Sequence, residues 1–152
     1  MAPGRRPGLY GFISRTDFVA ESVVDPLLLI GRVLLASVFI LTALGWSPNA
    51  GYLSNLGYSY PGFMSSLAIA VEWVIGITLT LGFAVRYAAL LGLIYVIVAT
   101  VTAHRYWQYP QAQQLVQYIF ATKNLSILGG LLILFVSGGG RYSIDHQLKR
   151  TT

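Results

Sequence analysis

The run at residues 62–83, GFMSSLAIAVEWVIGITLTLGF, constrains the fold more than any other stretch, because it is apolar throughout except for Glu72 near its middle. About 20 apolar residues in a helix cover a hydrocarbon core of roughly 30 Å. A carboxyl at mid-bilayer costs about 3 kcal/mol or more unless something in the protein satisfies it. The run is therefore read as a spanning helix whose Glu72 faces other helices. Three further runs have similar length and character: residues 27–46 with Arg32 inside, 87–103, and 115–137 with Lys123 inside. Together they predict an all-α membrane bundle of four crossings (27–46, 63–83, 87–103 and 115–137), with polar basic tails at 1–26 and 138–152.

Composition agrees. The chain is 55% hydrophobic and 10% charged over 152 residues, where a soluble domain carries about 25% charged residues. Its length suits one bundle. With no cysteine, disulfides, thiolate ligands and cysteine nucleophiles are excluded. The two histidines, His104 and His146, fall beyond opposite ends of the predicted bundle, which excludes a bis-histidine haem, and no metal site is expected. Ten Lys and Arg outnumber five Asp and Glu, but most of the cations flank the spans, so they report orientation and not nucleic acid.

The first 26 residues hold Arg5, Arg6 and Arg15 among Pro and Gly, with no apolar core behind them, so a removable signal peptide is not expected. Residues 16–24 are read as a short interfacial helix, with Pro26 in the first turn of the first span. Arg86 in the second connection and Arg141, Lys149 and Arg150 in the tail lie on the same side as these arginines. The other two connections contribute only Arg105. Both termini are accordingly expected in the cytoplasm. The connection at 47–61 has no charge, three tyrosines and two prolines. Small residues four apart recur as Gly76 with Thr80, Ala88 with Gly92, and Ser126 with Gly130, a spacing that permits close helix approach in lipid.

The intramembrane ionisable residues are the candidate polar centre. Side chains lean toward the start of their own helix, so Arg32 leans to the cytoplasmic side while Glu72 and Lys123 lean outward. At 1.5 Å per residue the depths of Glu72 and Lys123 agree within about 3 Å, which makes Lys123 the expected partner of Glu72. Alternatives stay open: Arg32 snorkels to headgroups or reaches inward, Glu72 is a carboxyl with a single structural hydrogen bond, and Lys123 sits at the interface of a span that starts near Thr122. His104 ends the third span beside Arg105, Tyr106 and Trp107, and reads either as an interfacial anchor or as a donor to the headgroup of an amphipathic ligand such as a quinone. In the tail, Arg141, Asp145 and Lys149 are spaced for i, i+4 pairs if helical, and the rest is read as solvated basic chain beside anionic lipid.

These pieces, in this order, resemble the DoxX family of small four-helix membrane proteins. The carriers are LLLIGRVLL with Arg32, NLGYSYPGF, EWVIGITLTLGFAVRYAAL with Glu72 and Arg86, HRYW with His104 and Trp107, FATKNLSILGGLLIL with Lys123 and Asn124, and GGGRYSID with Gly140, Arg141 and Asp145. They cover roughly residues 28–146. Many members have a lysine near the end of span one, which TALGW at 42–46 lacks. The resemblance implies a bacterial inner-membrane protein that works with protein partners in an oxidoreductase system. In that setting Glu72, Lys123 and Arg32 are candidates for a polar centre, His104, Trp107 and Asn124 for quinone or ligand binding, and Gly140, Arg141 and Asp145 for a structural motif. No covalently or metal-bound cofactor is expected, so electrons would come from a partner or a soluble donor. The other expectations are a non-catalytic anchor subunit and a small-solute or proton-coupled transporter.

Overall fold

The computed structural model describes residues 21–151. The expected interfacial helix at 16–24 lies mostly outside them, as do Arg5, Arg6 and Arg15. Four long helices carry the fold: α1 (Glu21–Leu41), α3 (Pro61–Leu81), α4 (Val85–Ala103) and α5 (Gln111–Ser137). A short α2 (Ala50–Asn55) and a 3-10 turn (Tyr106–Gln108) lie in two connections, and α6 (Ile144–Thr151) forms the tail. There is no strand among the described residues. The apolar spans run Val23–Gly45, Pro61–Leu81, Val85–Gln108 and Gln111–Ser137, so the predicted four-crossing, all-α architecture is what forms.

Three boundaries differ from expectation. Pro26 lies inside α1, not at its first turn; the helix already runs from Glu21. The fourth helix begins at Gln111, directly after Pro110, four residues before the apolar run starts. Its first turn is polar because it projects past the apolar part of the bundle. The tail is not merely solvated chain: it is helical from Ile144, with Ser143 buried at its start and the Ser143 hydroxyl accepting from the His146 N–H, as a helix N-cap does.

The helices pack in sequence order, α1 on α3, α3 on α4 and α4 on α5, while α1 and α5 meet only lightly. The result is an up-down ring of four with one loose seam. Each helix turns a 3.6-residue stripe inward. These stripes are Arg32, Ala36 and Phe39; Glu72, Ile75, Gly76 and Leu79; Ala88, Gly92 and Val96; and Leu131 and Leu134. Gly76 brings α3 close to α1, since a Cβ there would stand 2.5 Å from Cγ1 of Ile40. Gly92 faces Leu131 and Phe39 in the same way. Two of the three small-residue pairs thus face the bundle interior, whereas Ser126 and Gly130 line the loose seam.

At one end, the start of α1, the α3–α4 connection and the 138–143 loop come together; this is the terminal end. The other is the loop end. Helix α3 stops at Gly82, whose φ of 72° is left-handed, and the Phe83 N–H folds back to the Thr78 carbonyl at 3.0 Å. Ala84 is also left-handed, at φ 48°, so two such residues turn the chain sharply into α4.

Candidate functional site

Polar side chains gather in three places. The first is mid-bundle. Glu72, on the inward stripe of α3, is 3% exposed and accepts a hydrogen bond from the Tyr95 hydroxyl at 2.5 Å through Oε1, while Oε2 has no partner. Tyr95 lies one turn beyond Gly92 on the packed face of α4 and stands edge-on to Phe39 at 6.4 Å. The expected ion pair is not formed: neither Lys123 nor Arg32 meets Glu72, and no ion pair joins it among the described residues. The physical reason differs for each cation.

Arg32 is 2% exposed and leans toward the terminal end, as its place on α1 requires, but it reaches protein and not headgroups. Its two terminal nitrogens donate to the carbonyls of Gly139, at 2.5 Å, and Tyr142, at 2.8 Å. A Cβ on Gly82 would stand 2.6 Å from one of these nitrogens. Gly82 is ten residues from Glu72 along α3, about 15 Å at the helical rise, so Arg32 works at a different level.

Lys123 has the opposite problem. The inward stripe of α5 runs Asn124, Ile127, Leu128, Leu131 and Leu134, and one residue on a helix turns about 100°. Lys123 is therefore on the exposed side, with Nζ 4.8 Å from the centroid of the Phe120 ring. It also lies thirteenth in its helix, so a span starting near Thr122 is not what forms. Asn124 takes the inward position and donates to the Thr100 hydroxyl at 2.8 Å. Depth along the span predicted Lys123 as the partner of Glu72; rotation about the axis decided against it. Tyr95 is not among the candidates read from the sequence; the signal for it there is the Ala88–Gly92 spacing extended one turn.

The second gathering is the terminal end, where the GGGRYSID segment docks. Both carboxylate oxygens of Asp145 accept backbone N–H bonds, from Ala84 at 2.7 Å and Val85 at 2.9 Å. Asp145 thus caps α4 from sixty residues away, placing a negative charge where the helix dipole is positive. It does not pair with Arg141, which is outside α6. The Arg141 N–H instead bonds Oδ1 of Asp25 at 2.8 Å. Gly140 has φ 68°, and a Cβ on Gly139 would stand 2.7 Å from Ser143. The glycine run ends α5 at Gly138 and turns the Gly139 carbonyl onto Arg32.

The third gathering is the loop end. The His104 ring, half-buried, lies 5.3 Å from the Phe120 ring, and its Nδ1 is 2.8 Å from Oε1 of Gln117. In the tautomer that donates Nδ1–H to this amide oxygen, Nε2 is an acceptor. His104 and Lys123, from two helices, thus converge on one ring. Trp107 is exposed and contacts Tyr106 edge-on, with Tyr106 in turn against Tyr118. Nearby, the hydroxyls of Tyr52 and Tyr109 both donate to the Ala103 carbonyl, which ties α2 to the end of α4. Burial, and then the bond to Tyr109, pushes the Tyr52 phenol well above its usual range.

The DoxX family model matches residues 27–105. Two proteins of Escherichia coli strain K12 are similar over most of their length. Inner membrane protein YphA is 31% identical over 135 residues, 86% of this chain and 95% of that protein. Inner membrane protein YqjF is 32% identical over 134 residues, 86% of this chain and 98% of that protein. No solved structure gives a significant match. The multi-pass, inner-membrane character expected from the sequence agrees with the four spans and with both relatives. Matching fold, matching family model and near full-length relatives place the chain plainly: it is an integral membrane protein belonging to the DoxX family.

Proposed function

We propose that the protein is a membrane subunit of an oxidoreductase system, with its termini in the cytoplasm, and that it meets a quinone at the loop end. One observation supports this above the others. His104 and Lys123 converge on the lipid-accessible Phe120 ring, offering a cation, an imidazole acceptor and an aromatic face at one height. The Lys123 ammonium donates a hydrogen bond to a quinone carbonyl, and the Nε2 of His104 accepts a hydrogen bond from a hydroxyl of the quinol; the two protons taken up on reduction come from water at the loop end. Asn124 is already committed to Thr100 and braces α5 against α4. Glu72 bonds Tyr95 and not this patch, so no proton step is assigned to it. Electrons come from a partner protein. The cytoplasmic assignment rests on Arg86, Arg141, Lys149 and Arg150, all at the terminal end.

The test is binding of a short-chain benzoquinone to the full chain in nanodiscs, for wild type and for Lys123→Met. Losing one charge-assisted hydrogen bond, worth about 1.5–3 kcal/mol, should weaken binding about tenfold or more with the thermal midpoint unchanged. Equal binding by the two proteins refutes the patch.

The anchor reading draws on a different observation. Arg32 and Glu72 both spend their bonds on protein groups inside the bundle, Arg32 on two carbonyls and Glu72 on the Tyr95 hydroxyl, so the intramembrane charges hold the fold and the outer surface docks a partner complex. In that case Lys123→Met leaves the turnover of a co-purified oxidoreductase unchanged.

A further inference from the structure

The loose seam between α1 and α5 is a groove of about 680 Å³, within the roughly 300–1,000 Å³ of small-molecule sites. Leu27, Leu34 and Val38 of α1 and Ile133 of α5 form its walls, and Gly31 and Gly130 give it depth. A Cβ on Gly31 would meet nothing within 4 Å. On α5 the groove runs from Ser126 to Ser137, eleven residues or about 16 Å. That is about half of a hydrocarbon core of roughly 30 Å, the depth of one leaflet, and it ends at the terminal face.

The rim at that end is basic. Arg86, Arg141, Lys149 and Arg150 are exposed there. The two acids beside them are already engaged, Asp25 by the Arg141 N–H and Asp145 by Ala84 and Val85. A second, polar cavity of about 430 Å³, whose charged and imidazole lining is Arg86, Asp145, His146 and Lys149, shares Ser137 with the groove. At the floor of the groove is Arg32, 2% exposed, with its Nε unpartnered.

We propose that this seam holds one acyl chain of an anionic phospholipid, with the phosphate at the Arg86, Arg141 and Lys149 rim. The site is at the opposite end from the quinone patch and stands without it. An apolar slot one leaflet deep fits a chain, and at its rim four exposed Lys and Arg side chains, of which Arg86 also donates to the Val136 carbonyl, outnumber the two carboxylates and select a negative headgroup over a zwitterionic one.

Native mass spectrometry of the full chain, delipidated in detergent and then offered phosphatidylglycerol or phosphatidylcholine, tests this. Wild type should retain phosphatidylglycerol about tenfold better. Gly31→Leu, which fills the slot without a clash, should retain neither lipid. Arg86→Gln with Arg141→Gln should retain both equally. Equal retention of the two lipids by wild type overturns the proposal, as does retention by Gly31→Leu at the wild-type level. So does a lipid-free dimer that Gly31→Leu dissociates, which would make the seam a contact between two copies.

Discussion

Tyr95 donates to Oε1 of Glu72 across 2.5 Å, so two side chains on antiparallel neighbours bond at mid-bundle without a cation, and Oε2 keeps no partner. Polar pairs in membrane bundles couple by about 0.6 kcal/mol on average and about 1.7 at most. A double-mutant cycle with Glu72→Gln and Tyr95→Phe should give about 1 kcal/mol, measured by unfolding in mixed micelles. A coupling near zero would mean that the two side chains do not bond in the bilayer.

Arg32 joins α1 to the 139–142 loop with two bonds from a forked head. Lysine offers one nitrogen and cannot span both carbonyls. Arg32→Lys should cost about 1.5–3 kcal/mol, the worth of one charged hydrogen bond, and Arg32→Met about twice that. Thermal midpoints in detergent check the ranking, and an Arg32→Lys protein as stable as wild type would contradict it.

Gly82 and Ala84 make opposite predictions from the same backbone region. A Cβ at Gly82 would meet Arg32 and Ser143 and would also hold a left-handed φ. Gly82→Ala should therefore cost about 2–5 kcal/mol by combining overpacking and backbone strain. Ala84 already carries that strain, so Ala84→Gly should raise stability by up to about 1 kcal/mol. Denaturant midpoints for the two variants should move in opposite directions.

Asp145 caps α4 through both carboxylate oxygens. Removing a cap costs about 0.5–2 kcal/mol. Asp145→Ala should show that loss, together with faster amide exchange at the first turn of α4 and in α6. Asp145→Asn, which keeps one acceptor, should fall between. Unchanged exchange in α6 would separate the tail from the cap.

Tyr52 supplies a pH dependence. Its folded phenol holds its proton well above the usual range because of burial, then the bond to Tyr109, while the unfolded phenol ionises near pH 10. Between the two values the unfolded state binds fewer protons, so stability is full below about pH 10 and declines as pH rises beyond it. Thermal midpoints from pH 9 to 12 should fall more steeply for wild type than for Tyr52→Phe.

The four crossings, their order and the all-α class were legible in the sequence. A helix that must cover a fixed hydrocarbon thickness announces itself by length and composition alone. The inward orientation of Glu72 was legible too, since a carboxyl in an apolar span has to face protein, whereas the choice for Arg32 between headgroups and the bundle was made by the 139–142 loop. Partners were not. Lys123 matched Glu72 in height but faces away by one residue of helical rotation, and only the packing of α5 on α4 settled which residue of the pair Lys123 and Asn124 turned inward. The GGG run and Asp145 gained their roles from contacts across more than sixty residues, with Arg32 and Ala84. Spacing along a chain fixes depth and, over a few turns, a face; which face meets which neighbour depends on how the helices close into a ring, and that is a property of the assembled bundle.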